Sequence, residues 1–414
     1  MLYYFYLLYE WLKDLQLPIV KGLNVFRYIT FRSAGAAFTA FFISLIIGPR
    51  VIAVLKLRHI GEETDRSDSS ELNQRHKGKK GTPTMGGVMM VFAIVISTLL
   101  WTPLDNLYTA LVLTVLWSLA MVGFADDQIK LTSARRKGIR ARTKLAFQLG
   151  IGLAAAIVLY IQFSAPNSVM APGRNIASAE LRMSDEERME RRDDSTAVAQ
   201  ESVQKVPGDS GTAIYFPFFR NAVIRLGLLF ILFGMLTVAA TSNAVNITDG
   251  LDGLAVGCLA LVCAAFTVLS YLSGRADYSA YLGIPCVPGS GELTVFCASM
   301  TGACLGFLWF NCHPAKLFMG NVGALSLGGA IGLVALIVKQ ELMLLIIGGV
   351  FVVELLSVVM QVVSFKLTGR RIFKIAPLHH HFEFSNVPEN QITVRFWIAA
   401  ALLALAGVAT LKLR

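Results

Sequence analysis

The stretch SNAVNITDGLDGL, residues 242–254, lies between two runs, 221–241 and 254–272, each apolar enough to cross a bilayer. Within it Asn243, Asn246, Asp249 and Asp252 recur at three-residue steps beside Gly250 and Gly253. On a first helical turn that spacing predicts one polar wall, with the glycines letting a ligand approach the backbone closely. A capped helix start, with Thr248 or Asp249 satisfying orphan N–H groups, explains one or two of these residues and leaves the rest without a role. Carboxamides and carboxylates at bilayer depth are costly and mark functional sites.

Working outward, the 414 residues are 55% hydrophobic and 15% charged, which places the chain among polytopic membrane proteins. Apolar runs at 34–55, 84–102, 107–125, 145–163, 221–241, 254–272, 293–311, 322–338, 342–364 and 394–412 predict an all-α fold of ten transmembrane helices. Residues 1–33 lack a basic n-region and a cleavage site, and read as an interfacial segment ahead of a membrane domain over 34–414. Loops 56–83 and 126–144 carry seven Lys/Arg each, 312–321 one and 365–393 four, whereas the alternate loops 103–106, 273–292 and 339–341 carry two in all. The positive-inside rule puts the first set in the cytoplasm and both termini outside. The long loop at about 164–220, with nine acids and seven bases, reads as an extracytoplasmic insertion, disordered or a lone surface helix. Six cysteines without metal-type pairing read as packing residues. The net charge of +10 is concentrated in short loops, which suits a phosphate-bearing substrate or anionic lipid and gives no sign of a nucleic-acid partner.

Every inward loop carries a motif. HKGKKGTPTMGG, residues 76–87, sets Lys77, Lys79 and Lys80 before a span, where cations and a helix N-terminus suit phosphate oxygens. Positive-inside topology accounts for the lysines and not for GTPTMGG. Asp126 and Asp127 end the third span and are followed by Arg135, Arg136, Lys137, Arg140, Arg142 and Lys144. Adjacent carboxylates repel, so one gains a proton or both recruit a cation, which are the states a general base or a Mg²⁺ site needs. Removing either should relieve repulsion and leave folding nearly intact. FLWFNCHPAKLFMGNVGALSLGG, residues 307–329, turns into the eighth span through Phe318, Gly320 and Asn321, where a tight turn with an Asn cap is the simpler reading. APLHHHFE carries His379, His380, His381 and Glu383. Three consecutive His cannot all face one metal on a helix, so contacts to a phosphorylated ligand fit better.

With SNAVNITDGLDGLA, KKGTPTMGG, FADD, FLWFN, LFMG and APLHHHFE in this order, the chain resembles the phospho-N-acetylmuramoyl-pentapeptide transferases, within the polyprenyl-phosphate N-acetylhexosamine-1-phosphate transferase superfamily. The resemblance runs from about residue 23 to 414, apart from the insertion. It implies a Mg²⁺-dependent enzyme of the bacterial inner membrane with a cytoplasm-facing cleft. Its substrates would be UDP-N-acetylmuramoyl-pentapeptide and undecaprenyl phosphate, its products lipid I and UMP; a homodimer is compatible with it. By the same resemblance the acidic pair is Asp126 and Asp127, the nucleotide contacts are Asn243, Asn246, Asp249 and Asp252, and the phosphate contacts are Lys79 and Lys144. Phe318 would stack on uracil, with Gln361, His380 and His381 lining the same pocket.

One position departs from the family pattern. Where the family has FMGD, with that Asp a Mg²⁺ ligand, this chain has FMGN, so Asn321 stands at a catalytic, metal-binding position without the charge, and Ala324 replaces a Ser. Mg²⁺ sites rely on one or two carboxylates, so metal affinity should fall. The alternative function is therefore a weakened or silent paralogue that still binds UDP-sugar or polyprenyl phosphate. A ten-span transporter would place its acids at mid-membrane, whereas these cluster at the inner boundary.

Overall fold

The computed structural model describes residues 2–12, 23–57, 81–132, 138–165, 168–170, 211–219 and 223–413. Among these, helix dominates because each apolar run must satisfy its own backbone within the bilayer. After a short α1 (Phe5–Leu12) come α2 (Ile29–Leu57), α3 (Gly87–Trp101), α4 (Leu107–Thr132) and α5 (Ala141–Ser164). A two-stranded hairpin, β1 (Ala213–Tyr215) and β2 (Val223–Arg225), precedes α6 (Leu229–Thr248), α7 (Leu254–Ser273) and α8 (Ala276–Leu282). The chain continues through α9 (Leu293–Asn311), α10 (Gly320–Ile337), α11 (Glu341–Ile347), α12 (Gly349–Thr368), α13 (Leu378–Glu383) and α14 (Glu389–Ala409).

Each of the ten predicted runs contains helix, though that at 221–241 opens with β2 and turns helical only at Leu229, and the described residues hold 9 helices long and apolar enough to cross a membrane. The tenth, α3, has 15 residues, or about 22 Å at 1.5 Å per residue. Its start is shortened because the GTPTMGG segment runs extended beside 318–319. Phe318 N–H donates to the Pro83 carbonyl (2.8 Å), Gly86 N–H to that of Phe318 (2.8 Å) and Gly87 N–H to that of Met319 (2.8 Å). The run at 342–364 also departs from a single helix, breaking at Gly348 between α11 and α12.

Helix α10 is the axis. Nearly all of it is buried, packed against α4, α6 and α3, while α9 packs against α2 and α7. Its sequence, GNVGALSLGGAIGLVALI, explains why: small residues let helix backbones approach where lipid offers no hydrophobic drive for association. Helices α2, α12 and α14 bury the least and present Phe38, Phe42, Leu356, Val363, Leu402 and other large apolar side chains outward.

Two expectations change. The insertion does not remain featureless to its end, because β1 and β2 pair antiparallel with Ala213 opposite Arg225, and β1 is buried. Its central 171–210 lies outside the described residues. The short loop after α10 hides a charge: Lys339 Nζ stands 3.1 Å from Glu341 Oε1, both side chains at 1% exposure or less, and over the rings of Phe163 and Phe230. Five of the six cysteines are buried, as packing residues should be, and Cys312 is exposed.

Removing one partner of a buried ion pair leaves the other uncompensated, which costs about 3–5 kcal/mol, whereas replacing both with apolar residues is close to neutral. Glu341→Gln should therefore lower unfolding stability in mixed micelles sharply, and Lys339→Met with Glu341→Leu should recover most of it. Equal stability of the single and double variants would show that the pair carries no such constraint.

Candidate functional site

Two helix ends meet at the acidic pair. Asp126 and Asp127 sit near the C-terminal end of α4, both buried, and Asn321 is the second residue of α10. The helices come this close because position 123 is Gly: a Cβ there would overlap the Asn321 carbonyl. Gly320 adopts a left-handed backbone, φ +69°, which turns the chain into α10 directly under Asp127.

Asn321 does not cap its own helix, as the turn reading supposed; its side chain reaches across to α4. Its Nδ2 donates to Asp126 Oδ2 and to Asp127 Oδ1, the latter at 2.9 Å. Its Oδ1 accepts from Asn246 Nδ2 (2.6 Å) and Lys144 Nζ (3.4 Å). The amide orientation is thus consistent on both sides, with donors toward carboxylates and acceptor toward cation and amide. Asp127 Oδ2 also accepts from the backbone N–H groups of Asn321 (2.9 Å) and Val322 (3.4 Å), so a carboxylate from α4 caps the N-terminus of α10. Asp126 Oδ1 accepts from Ile139 N–H (2.7 Å).

Two lysines balance the two acids. Lys144 Nζ lies 3.4 Å from Asp126 Oδ2, and Lys130 Nζ lies 3.0 Å from the same atom and 3.7 Å from Asp127 Oδ1. Sequence reading passed over Lys130, although its place at i+4 and i+3 from the pair on one helix face was a signal for it. Asp126 Oδ2 and Asp127 Oδ1 both aim at one point, the Asn321 amide nitrogen. Two converging carboxylate oxygens fit a hard divalent ion, with the Asn321 oxygen as a third donor once the amide turns.

The polar stretch 242–254 forms no single wall. Asn243 and Asn246 occupy the last turns of α6, Asp249 ends that helix, and Asp252 lies in the link to α7. Thr248 bonds back to the Ala244 carbonyl (2.8 Å) instead of capping. Asn243 Nδ2 donates to Gln148 Oε1 (2.8 Å), and Gln148 Nε2 donates to the Ser242 hydroxyl (2.9 Å). Gln148, fully buried on α5, escaped notice although a polar side chain inside an apolar run is itself a signal.

Asp252 belongs to a second cluster. Its Oδ2 accepts from Ala315 N–H (3.0 Å) and lies 3.2 Å from His313 Nδ1; its own N–H donates to Glu389 Oε1 (2.8 Å). Beside it Asn311 Oδ1 accepts from Gly253 N–H (3.1 Å), and its Nδ2 donates to the Leu317 carbonyl (2.8 Å). The loop with the half-buried Phe318 is therefore tied to the 250–253 link. Sequence reading missed His313 and Glu389, which carry no local pattern and meet only in three dimensions.

The histidines form a third group. His379 is buried, with its N–H donating to Glu354 Oε1 (3.1 Å) and Nδ1 3.1 Å from Glu354 Oε2, and it packs against Gly250. That contact joins the motif to the polar stretch. His380 Nδ1 lies 2.9 Å from Glu383 Oε2, and His381 Nδ1 accepts from Lys374 N–H (3.2 Å). The Gln361 amide is spent on backbone: Oε1 accepts from Ile372 and Phe373 N–H, and Nε2 donates to the Phe373 carbonyl. Gln361 thereby shapes the loop before the histidines. Lys79 lies outside the described residues.

A family model described as Glycosyl transferase family 4 matches residues 195–339. The matched segment contains Asn243, Asn246, Asp249, Asp252, Phe318 and Asn321, while Asp126 and Asp127 reach the same centre from α4.

Gly320 provides the sharpest test of this geometry. A Cβ there would stand 2.7 Å from Asp127 Oδ2 and force a left-handed backbone on an L-residue, at about 1–2 kcal/mol. Gly320→Ala should lower unfolding stability in detergent by that much, whereas Gly150→Ala, which meets open space, should not.

Proposed function

Because the chain belongs to the phospho-N-acetylmuramoyl-pentapeptide transferases, we propose that Asp126, Asp127 and Asn321 form its reaction centre, with Lys130 and Lys144 as charge partners. The enzyme transfers phospho-N-acetylmuramoyl-pentapeptide from UDP-N-acetylmuramoyl-pentapeptide to undecaprenyl phosphate, giving lipid I and UMP. It is a multi-pass membrane protein. The Lys/Arg bias of its loops supports an active site facing the cytoplasm and termini facing outward.

The observation that carries the proposal is the meeting of two buried carboxylates, two lysines and a carboxamide where α4 ends and α10 begins. An oxygen of the polyprenyl phosphate attacks the sugar-linked phosphorus; a P–O bond forms there and the P–O bond to UMP breaks. Lys144 and Lys130 counter the charge of the reacting phosphates, a preorganised electrostatic role. A phosphate monoester has its second pKa near 6, so the lipid phosphate is largely dianionic at neutral pH. Asp126 and Asp127 therefore position the reactants more than they remove a proton. Mg²⁺, when bound by Asp126 and Asp127 with the Asn321 oxygen, supplies Lewis-acid neutralisation of the diphosphate.

Asn243 and Asn246, held on α6 by Gln148 and Asn321, serve the sugar-diphosphate portion in this proposal. Asp252, Asn311 and Phe318 serve the nucleoside end, with Phe318 against the base, and His380 and His381 line the far side. Asp249 sits between the two polar groups. Residues 1–33 act as an interfacial segment ahead of the membrane body.

Mg²⁺-dependent UMP release by the purified chain with undecaprenyl phosphate tests the reading. Asp126→Asn and Asp127→Asn should each lower kcat by at least about 10²-fold, the scale for losing one preorganised electrostatic contact. The structure alters the expectation that both positions are structurally neutral. Asp127 caps α10, so Asp127→Ala should also cost about 1–3 kcal/mol of stability through its unpaired N–H donors, more than Asp126→Ala. Full turnover in both Asn variants would remove the pair from the mechanism.

Asn321→Asp replaces a donor by a third carboxylate facing Asp126 and Asp127, so the site then needs a cation to hold it together. The Mg²⁺ concentration giving half-maximal turnover should fall, and thermal stability, nearly indifferent to Mg²⁺ in the natural chain, should become Mg²⁺-dependent. If neither quantity moves, residue 321 is not at the metal.

A further inference from the structure

Asp252, His313 and Glu389 come from three separate segments, the α6–α7 link, the loop after α9 and the first residue of α14. One ligand atom from each lies within 4.8 Å of the others. His313 Nδ1 stands 3.2 Å from Asp252 Oδ2 and 3.8 Å from Glu389 Oε2. Two ligands at about 2.0–2.1 Å from a tetrahedral ion stand about 3.3 Å apart, which the His313–Asp252 separation meets and the His313–Glu389 separation exceeds by about half an ångström, a side-chain adjustment that an arriving ion can draw in. We propose that these residues form a second metal site, distinct from the acidic pair, for a borderline transition ion of the Zn²⁺ class.

The donor set selects the ion. One imidazole with two carboxylates suits Zn²⁺ and its neighbours, whereas Mg²⁺ demands an octahedron of oxygens and gives up water reluctantly. The ligands are held in place before any ion arrives. Asp252 is fixed by the Ala315 N–H on its carboxylate, and its carbonyl accepts from the Thr393 hydroxyl (3.2 Å). Glu389 is fixed through Oε1 by the Asp252 N–H, which leaves Oε2 facing the imidazole. Such fixing of ligand carboxylates is what supporting contacts do in metal sites. Asp252 is 2% exposed and His313 side chain 44%, so the floor is rigid and the entrance open. None of the three is bonded to Asp126, Asp127 or Asn321 in the contacts described above.

Occupancy has a consequence that rests on the proposed role of Asp252 at the nucleoside end. An ion on Asp252 removes its carboxylate from hydrogen bonding, so Zn²⁺ should compete with the UDP-linked substrate while Mg²⁺ does not. Such an ion regulates the enzyme through substrate affinity.

The full-length protein in detergent, in a Cys312→Ser background that keeps the exposed neighbouring thiol out of play, is titrated with Co²⁺ under excess Mg²⁺. The expected result is one bound Co²⁺ with the intense visible absorption of a tetrahedral site, displaced by Zn²⁺. His313→Ala, at an exposed position, should weaken that binding by at least about tenfold. Zn²⁺ should raise KM for the UDP-linked substrate in the parent, leave kcat nearly unchanged, and lose this effect in His313→Ala. Absence of the absorption, or equal affinity in His313→Ala, overturns the site, and the imidazole is then only a hydrogen-bond partner of the two acids. His313-dependent binding without a change in KM upholds the metal site and instead overturns the placement of Asp252 on the nucleotide.

Discussion

The hydrogen bonds from Asn321 to Asp126 and Asp127 tie the C-terminal end of α4 to the N-terminal end of α10, and the polar half of the molecule is arranged around them. Helix α10 is buried on every side, so the four N–H groups at its start have no water to meet. Asp127 accepts two of them, and its charge lies at the positive end of the helix dipole. That one carboxylate therefore both seats the central helix and joins the cluster around Asn321. Gly123 and Gly320 are the steric conditions for it, since a side chain at either would occupy space held by Asn321 or Asp127.

An Asn at the third corner changes the electrostatic character of the centre. Three carboxylates within hydrogen-bonding distance would repel unless a cation held them, whereas Asn321 offers its amide hydrogens and joins the two acids without one. Lys130 and Lys144 cancel the remaining charge. The resting site is thus self-satisfied, and a metal must displace an internal donor to enter. An amide group that turns its oxygen inward keeps the ligand count at the cost of its bonds to Asn246 and Lys144. With Asn321 the centre keeps its geometry and carries one negative charge fewer than three carboxylates would.

The second centre, around Asp252, is built on a different logic. Its residues sit on the link between α6 and α7 and on two neighbouring segments, held by backbone N–H groups and not by helix packing. His379, anchored by Glu354 and pressed against Gly250, ties the histidine motif to the same α6–α7 link.

The ten apolar runs, the all-helical membrane body and the polarity of its loops were legible in the sequence because a bilayer imposes length and composition directly on each span. Asp126, Asp127 and Asn246 stood out as well, since polar groups at bilayer depth are rare enough to be conspicuous, whereas Lys144 was marked by the family resemblance. What periodicity suggested for 242–254, one wall on one helix face, failed at Asp249, where the helix ends and Asp252 is carried into another cluster. Pairing between 83–87 and 318–319 shortens α3, and no local pattern announces a contact across more than two hundred residues. Asn321, open in the sequence to a turn cap or to the metal position of the resemblance, bridges two helices through its side chain. His313, Glu389 and Glu354 acquire meaning only through partners distant in the chain. Local sequence determines which segments are helices and where they lie in the bilayer, because those depend on a residue and its near neighbours; which side chains share a site depends on helix packing, and that is a property of the folded chain alone.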